Sequence, residues 1–269
     1  MPVSYIMESE EESKRLGIKT DTVELESMAR RAGLAAGMRV LDVACGAGLS
    51  TSILGGIVGA GGSAVGIDSS AERIEQARGR YGGGRLSFAL RDFLHPIEDL
   101  GSFDFAWVRF ALEYYREECF DIAHNVASAV AEGGILCLVD LDHNSLNHYG
   151  ISPRLETALV SAMRQLEERA NFDPYAGRKL YSHLYRMGFE DIRVEVGAHH
   201  LIYGALRDSD GYNWGTKIEV LSRRLCFDIP GYESPGEFLE DFMAFFRDPG
   251  RFTYTPVIAA WGRKRAPAG

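Results

Sequence analysis

VLDVACGAGLST, residues 40–51, is the stretch on which the fold turns. Val40 to Val43 reads as a short buried strand carrying an acid, Asp42. Ala44, Gly46, Ala47 and Gly48 then make a tight turn into a helix over Leu49–Val58, which Gly59 ends. Such a turn can cradle a phosphate, hold another nucleoside-like ligand, or simply reverse the chain. A dinucleotide fingerprint needs glycine at position 51, and threonine stands there. A carboxylate at Asp42 would also repel a pyrophosphate. The turn therefore suits a ligand without phosphates and with a positive end.

Outward from this stretch, strand and helix signals alternate. SAVGID (63–68), RLSFAL (85–90), FDFAWV (103–108) and ILCLVD (135–140) read as strands. A capping box from Ser69 to Glu72 opens a helix to about Arg80, and a further helix covers 120–131. IRVEVGAHHLIY (192–203) and FTYTPVIAAWGRK (252–264) add two long strands. Pro256 suits an edge or a bulge in the second of them. The alternation predicts an α/β fold, doubly wound, with a mostly parallel seven-stranded sheet. Asp42, Asp68, Asp92 and Asp140 recur at or just after strand ends, on the rim where such sheets bind ligands.

The remaining segments read as decoration. Asp21 starts a helix whose apolar face is Leu25, Met28, Ala29 and Ala32. Pro153 opens another, with Leu155, Leu159, Met163 and Leu166 on one side. That face either packs on its own core or pairs with a second copy in a homodimer. Residues 177–188 read as a helix with His183 facing out. The expected division is 1–35 as N-terminal lid helices, 36–203 as the core with a lid segment at 144–187, 204–251 as a helical cap insertion, and 252–269 as a last core strand and tail. Within the insertion, helices are expected near 218–226 and 236–246.

The net charge is −9, with no long basic run, which argues against a nucleic-acid partner and for a small molecule. No apolar run approaches the roughly 20 residues that span a bilayer, so no membrane partner is expected. The acidic N-terminus lacks the order of a signal peptide, which predicts a cytoplasmic protein. Cys45, Cys119, Cys137 and Cys226 form no CxxC pair. They are expected as reduced thiols, with no metal site.

VLDVACGAGLST resembles the first motif of the class I S-adenosylmethionine-dependent methyltransferases, a hydrophobic strand, an acid and three closely spaced glycines. Ala44 takes the place of the first glycine, while Gly46 and Gly48 match. Further segments follow in the family's order. Asp68 ends GID, 26 residues after Asp42, where the family's acid takes both ribose hydroxyls. Asp92 matches the acid that accepts from the adenine amino group, and Phe93 the next position, which helps wall the pocket. FDFAWVRFALEYY resembles the fourth motif, with Arg109 and Phe110 just off the strand. GGILCLVDLD (133–142) resembles the glycine-led fifth strand, and ESEEESKRL a leading helix of small-molecule members.

The resemblance implies a Rossmann-like methyltransferase fold with helical lids and S-adenosyl-L-methionine as cofactor. Asp42, Ala44, Gly46, Gly48, Asp68, Ser69, Asp92, Phe93 and Arg109 would line its site. It implies methyl transfer by in-line displacement to a small-molecule acceptor, at oxygen or nitrogen, in a lidded pocket. Natural-product biosynthesis is the expected setting. His143, in the loop after the fifth strand, is the candidate base. His148, Tyr149 and Tyr203 are candidate substrate contacts. Two other readings stand beside this one: a protein that binds the cofactor without transferring methyl, and a nicotinamide-dependent oxidoreductase.

Overall fold

A computed structural model describes residues 21–224 and 229–266. The segment ESEEESKRL and Cys226 lie outside the described residues. Among the described residues there are eight strands: β1 (Arg39–Val43), β2 (Ser63–Asp68), β3 (Leu86–Leu90), β4 (Phe103–Arg109), β5 (Val130–Leu141), β6 (His148–Tyr149), β7 (Glu190–Tyr203) and β8 (Phe252–Arg263). The helices are α1 (Thr22–Arg31), α2 (Leu49–Val58), α3 (Ala71–Tyr81), α4 (Cys119–Ser128), α5 (Pro153–Arg169), α6 (Leu180–Arg186), α7 (Asp208–Arg224) and α8 (Pro235–Arg247). The strand order is β3-β2-β1-β4-β5-β8-β6, with β7 also on β8. β1 to β5 pair in parallel, and β6 runs antiparallel to β8. The sheet is thus α/β and mostly parallel, with eight strands where the sequence predicted seven. The addition is β6, whose two residues are too few to show a period.

The chain divides into two compact units. Of the described residues, the first holds 21–140, 177–195 and 258–266; the second holds 141–176, 196–224 and 229–257. In the first unit, β1 lies centrally. Val40, Leu41 and Val43 are buried between β2 and β4, with Asp42 level with Gly66 and Trp107. α1 belongs to this unit. Asp21 caps it by accepting from the Val23 and Glu24 N–H groups, and Leu25, Met28 and Ala29 are buried as it packs on α2.

Other boundaries also move. The cap of α3 is Ser70, not Ser69, because the Asp68 carboxylate already accepts the Ser70 N–H. β5 begins five residues early, through a turn in which Gly133 has a φ of +73°. His183 is buried against the Phe120 ring rather than facing out, while Tyr181 and Tyr185 stack on each other in the open. Cys45, Cys119 and Cys137 are buried.

In the second unit, the Leu155, Leu159, Met163 and Leu166 face is buried within the chain. α5 packs on α8 and α8 on α7. Phe238, Phe242 and Phe246 from α8 and Trp214 from α7 are fully buried. α7 begins ten residues before the predicted stretch, since Asp208 and Asp210 supply a favourable acidic first turn. Pro256 lies in a strand with neighbours on both sides rather than at an edge. Proline lacks only the donor, and the Pro256 carbonyl still accepts the Asp142 N–H at 3.0 Å.

Candidate cofactor site and its relatives

The turn after β1 needs three left-handed residues in close succession. Ala44, Gly46 and Gly48 have φ of +57°, +55° and +88°. At Gly48 a Cβ would lie 2.9 Å from both Ala77 and Phe88, so only glycine lets α2 start this close to α3 and β3. At Gly46 a Cβ would meet nothing within 4 Å, so this side of the turn faces open space. The Gly46 N–H donates to the Asp68 Oδ2 at 2.9 Å, and the Ser70 N–H to Oδ1 at 2.9 Å. One carboxylate therefore fixes the glycine turn and the start of α3 together. Each of its oxygens keeps lone-pair capacity for further donors.

Asp42 is 1% exposed. Its Oδ2 accepts from the Ser50 and Thr51 hydroxyls, both at 2.6 Å. Burial pushes its pKa up to about 6, against the pull of these hydroxyls and of the Arg109 guanidinium. Ser50 and Thr51 were in the opening stretch, but their anchoring of Asp42 was not read from it. A hydroxyl in a first helical turn serves equally as a cap, and only the strand-to-helix geometry tells the two apart.

Arg109 ends β4. Burial lowers its pKa to about 10, opposed by the Asp42 and Asp140 carboxylates. Its guanidinium lies 3.9 Å from the Phe110 ring centre and makes no hydrogen bond among the described residues. Asp140 accepts the Glu113 N–H at 3.1 Å. Asp92 accepts the Leu94 N–H at 3.0 Å and stays half-exposed. Phe93 is 3% exposed and meets Tyr115 edge-on at 5.5 Å. The Tyr115 pKa is raised, chiefly by burial, against the pull of the nearby Ser69 side chain. Tyr115, which no sequence signal marked, thus packs on the Phe93 segment near Ser69.

The donor set fits the expected cofactor. Asp68 offers acceptors for hydroxyls, Asp42 and Asp140 offer negative charge for a cationic end, and Arg109 has unused donors for a carboxylate. The open side of Gly46 leaves room beside them.

The four candidates of the second unit are set differently. His143 has a φ of +46°, its carbonyl accepts from the Leu146 N–H, and its ring meets Tyr175 edge-on at 5.1 Å. His148 is enclosed: Nδ1 lies 2.8 Å from the Thr253 Oγ1 and Nε2 3.1 Å from the Ser145 carbonyl. Trp214, Phe242 and Phe245 pack around its ring, and burial lowers its pKa to about 4. Both ring nitrogens are thus taken by the protein. Tyr149 and Tyr203 are exposed, and Tyr203 stacks on Phe252. Among the described residues, no group of three His, Cys, Asp or Glu side chains could hold a metal ion, and no helix is long and apolar enough to cross a membrane.

Residues 40–134 match a family described as a methyltransferase domain. The chain is 33% identical over 138 residues to the O-methyltransferase cnsE of Penicillium expansum, a match covering 46% of this chain and 49% of that protein. The chain thus spans about half the length of this relative. Among solved structures, the YcgJ protein of Bacillus subtilis is similar at a TM-score of 0.56 and 17% identity, covering 91% of this chain and 99% of that one. A coclaurine N-methyltransferase bound to N-methylheliamine and SAH is similar at 0.55 and 15%, covering 90% and 72%. The [4+2]-cyclase SpnF is similar at 0.55 and 18%, covering 91% and 81%. Residues 40–134 are thus similar to a methyltransferase domain, and the chain shares the fold of these solved structures.

Proposed function

We propose that this protein transfers the methyl group of S-adenosylmethionine to a small-molecule acceptor, at oxygen or nitrogen. The observation that carries this reading is the Asp68 carboxylate, which holds the Gly46 and Ser70 N–H groups at 2.9 Å beside the open face of the turn. In this reading Asp68 takes the ribose hydroxyls, and Asp92, Phe93 and Ser69 border the adenine. Ala44, Gly46 and Gly48 shape the turn. Asp42 accepts from the amino group, and Arg109 donates to the carboxylate. When bound, the cofactor supplies an electrophilic methyl on a cationic sulfur, with a neutral thioether as leaving group. The chain's own work is to orient the acceptor and to exclude water.

His143 is the base where the acceptor must lose a proton. His148 is reassigned to holding the second unit together, since its nitrogens already serve Thr253 and Ser145. Tyr149 and Tyr203 are exposed enough to meet an acceptor. The net charge of −9 supports a small molecule over a nucleic acid.

Calorimetric titration of S-adenosylmethionine into wild type and Asp68→Asn tests the cofactor site. Wild type should bind, and the variant should bind at least tenfold more weakly. Unchanged affinity in the variant would remove Asp68 from the site. Methyl-labelled cofactor then tests transfer. Label retained on the cofactor in the presence of a bound acceptor would favour binding without methyl transfer, a reading to which the similarity with a cyclase gives weight.

A further inference from the structure

Arg251 immediately precedes β8 and is 1% exposed, a rare burial for a guanidinium. Its Nη1 donates to the Gly204 carbonyl at 2.9 Å and to the Asp248 carbonyl at 3.3 Å. Its Nε and Nη2 are buried with no acceptor among the described residues. These two nitrogens form one edge of the guanidinium, with parallel N–H bonds spaced for two oxygens of one anion. The flat ion also lies 5.2 Å from the Phe246 ring centre. Asp210 and Asp248 are near enough to interact electrostatically, yet neither forms an ion pair with it. Asp210 is bound to the Arg207 Nε at 2.7 Å, and the Asp248 Oδ1 accepts the Gly250 N–H at 2.8 Å. A buried cation fixed along one side and unsatisfied along the other lacks an acceptor on its second edge, at a cost that an anion there would relieve.

We propose that the Nε/Nη2 edge of Arg251 receives the carboxylate of a small organic acid. A planar monoanion suits the edge better than a phosphate. The edge reaches no solvent, so neighbouring atoms must give way to the ligand, and they give least for the smaller group. Asp210 and Asp248 also repel a dianion more strongly than a monoanion.

The test titrates benzoate and phenyl phosphate into the full chain, with and without S-adenosylhomocysteine, for wild type, Arg251→Lys and Arg251→Met. Benzoate should bind wild type and weaken at least tenfold in both variants, because lysine keeps the charge but loses the fork. S-adenosylhomocysteine affinity should stay within twofold. Independently of any variant's folding, the Arg251 Nε resonance of the wild type should shift and saturate as benzoate is added. No benzoate binding, equal binding to Arg251→Lys, a stationary resonance, or a preference for phenyl phosphate would each overturn the proposal. Failure of S-adenosylhomocysteine to bind wild type would overturn the methyl-transfer reading, while the benzoate series would still score the anion edge.

Discussion

Ala44 shows how a single residue departs from a motif without breaking it. With a φ of +57°, it occupies a conformation in which its Cβ crowds the following carbonyl. Glycine is free of that strain but loses more chain entropy on folding. The strain is the larger of the two in a turn fixed on both sides, so Ala44→Gly should stabilise the protein by about 1 kcal/mol. The melting temperature should rise by about 2 °C. A fall would show that the alanine methyl makes a compensating contact. Gly48→Ala is the contrasting case, because its Cβ would lie 2.9 Å from Ala77 and Phe88 and its φ of +88° disfavours alanine. It should destabilise by about 1–3 kcal/mol, read in the same melts. At this scale the sequence showed the acids and glycines, since both are tied to fixed positions at strand ends. It did not show that Ser50 and Thr51 hold Asp42 by their hydroxyls. Those bonds depend on distances that no spacing along the chain encodes.

At the scale of elements, β1 to β4 and α2 were legible nearly to the residue, because the apolar runs are short and bounded by glycine or an acid. The one-residue shift in the cap of α3 arose from competition between two serines, settled by the claim of Asp68 on the Ser70 N–H. β6 was not legible, and neither was the task of His148 within it. A two-residue strand has no pattern, and its partner Thr253 lies 105 residues away. That pairing makes a prediction about the element. Thr253→Val keeps the shape but removes the polar partner of the His148 Nδ1, leaving it buried and unsatisfied. The loss should be about 1–3 kcal/mol, seen as a lower denaturant midpoint. Cofactor affinity should be unchanged, because Asp68 and its turn are untouched. A variant as stable as wild type would show that the histidine has no need of the threonine.

Across the whole molecule, the two units carry opposite responses to acid. Asp42 in the first unit has its pKa raised to about 6, chiefly by burial. The unfolded value is about 3.9. The folded state thus binds its proton first, and Asp42 adds stability as pH falls through 6 towards 4. His148 in the second unit has its pKa lowered to about 4, again chiefly by burial. The unfolded value is about 6.5. Its contribution is intact above pH 6.5 and is lost as pH falls towards 4, because the unfolded state protonates first. Each shift is worth about 3 kcal/mol, so the two nearly cancel over this window. Single substitutions should separate them. Asp42→Asn removes a buried charge, so it should exceed the wild type in stability at pH 7 and lose that advantage by pH 4. His148→Gln removes the acid-sensitive group, so its stability relative to wild type should rise over the same interval. Denaturant melts of the three proteins at half-unit steps from pH 7 to pH 4 would measure both slopes, and parallel profiles would remove both burial effects as the cause. Cofactor binding adds a check on the first of them. A cationic end beside Asp42 favours its ionised form, so S-adenosylmethionine should bind more tightly as pH rises through about 6, releasing a proton that Asp42→Asn does not have to release.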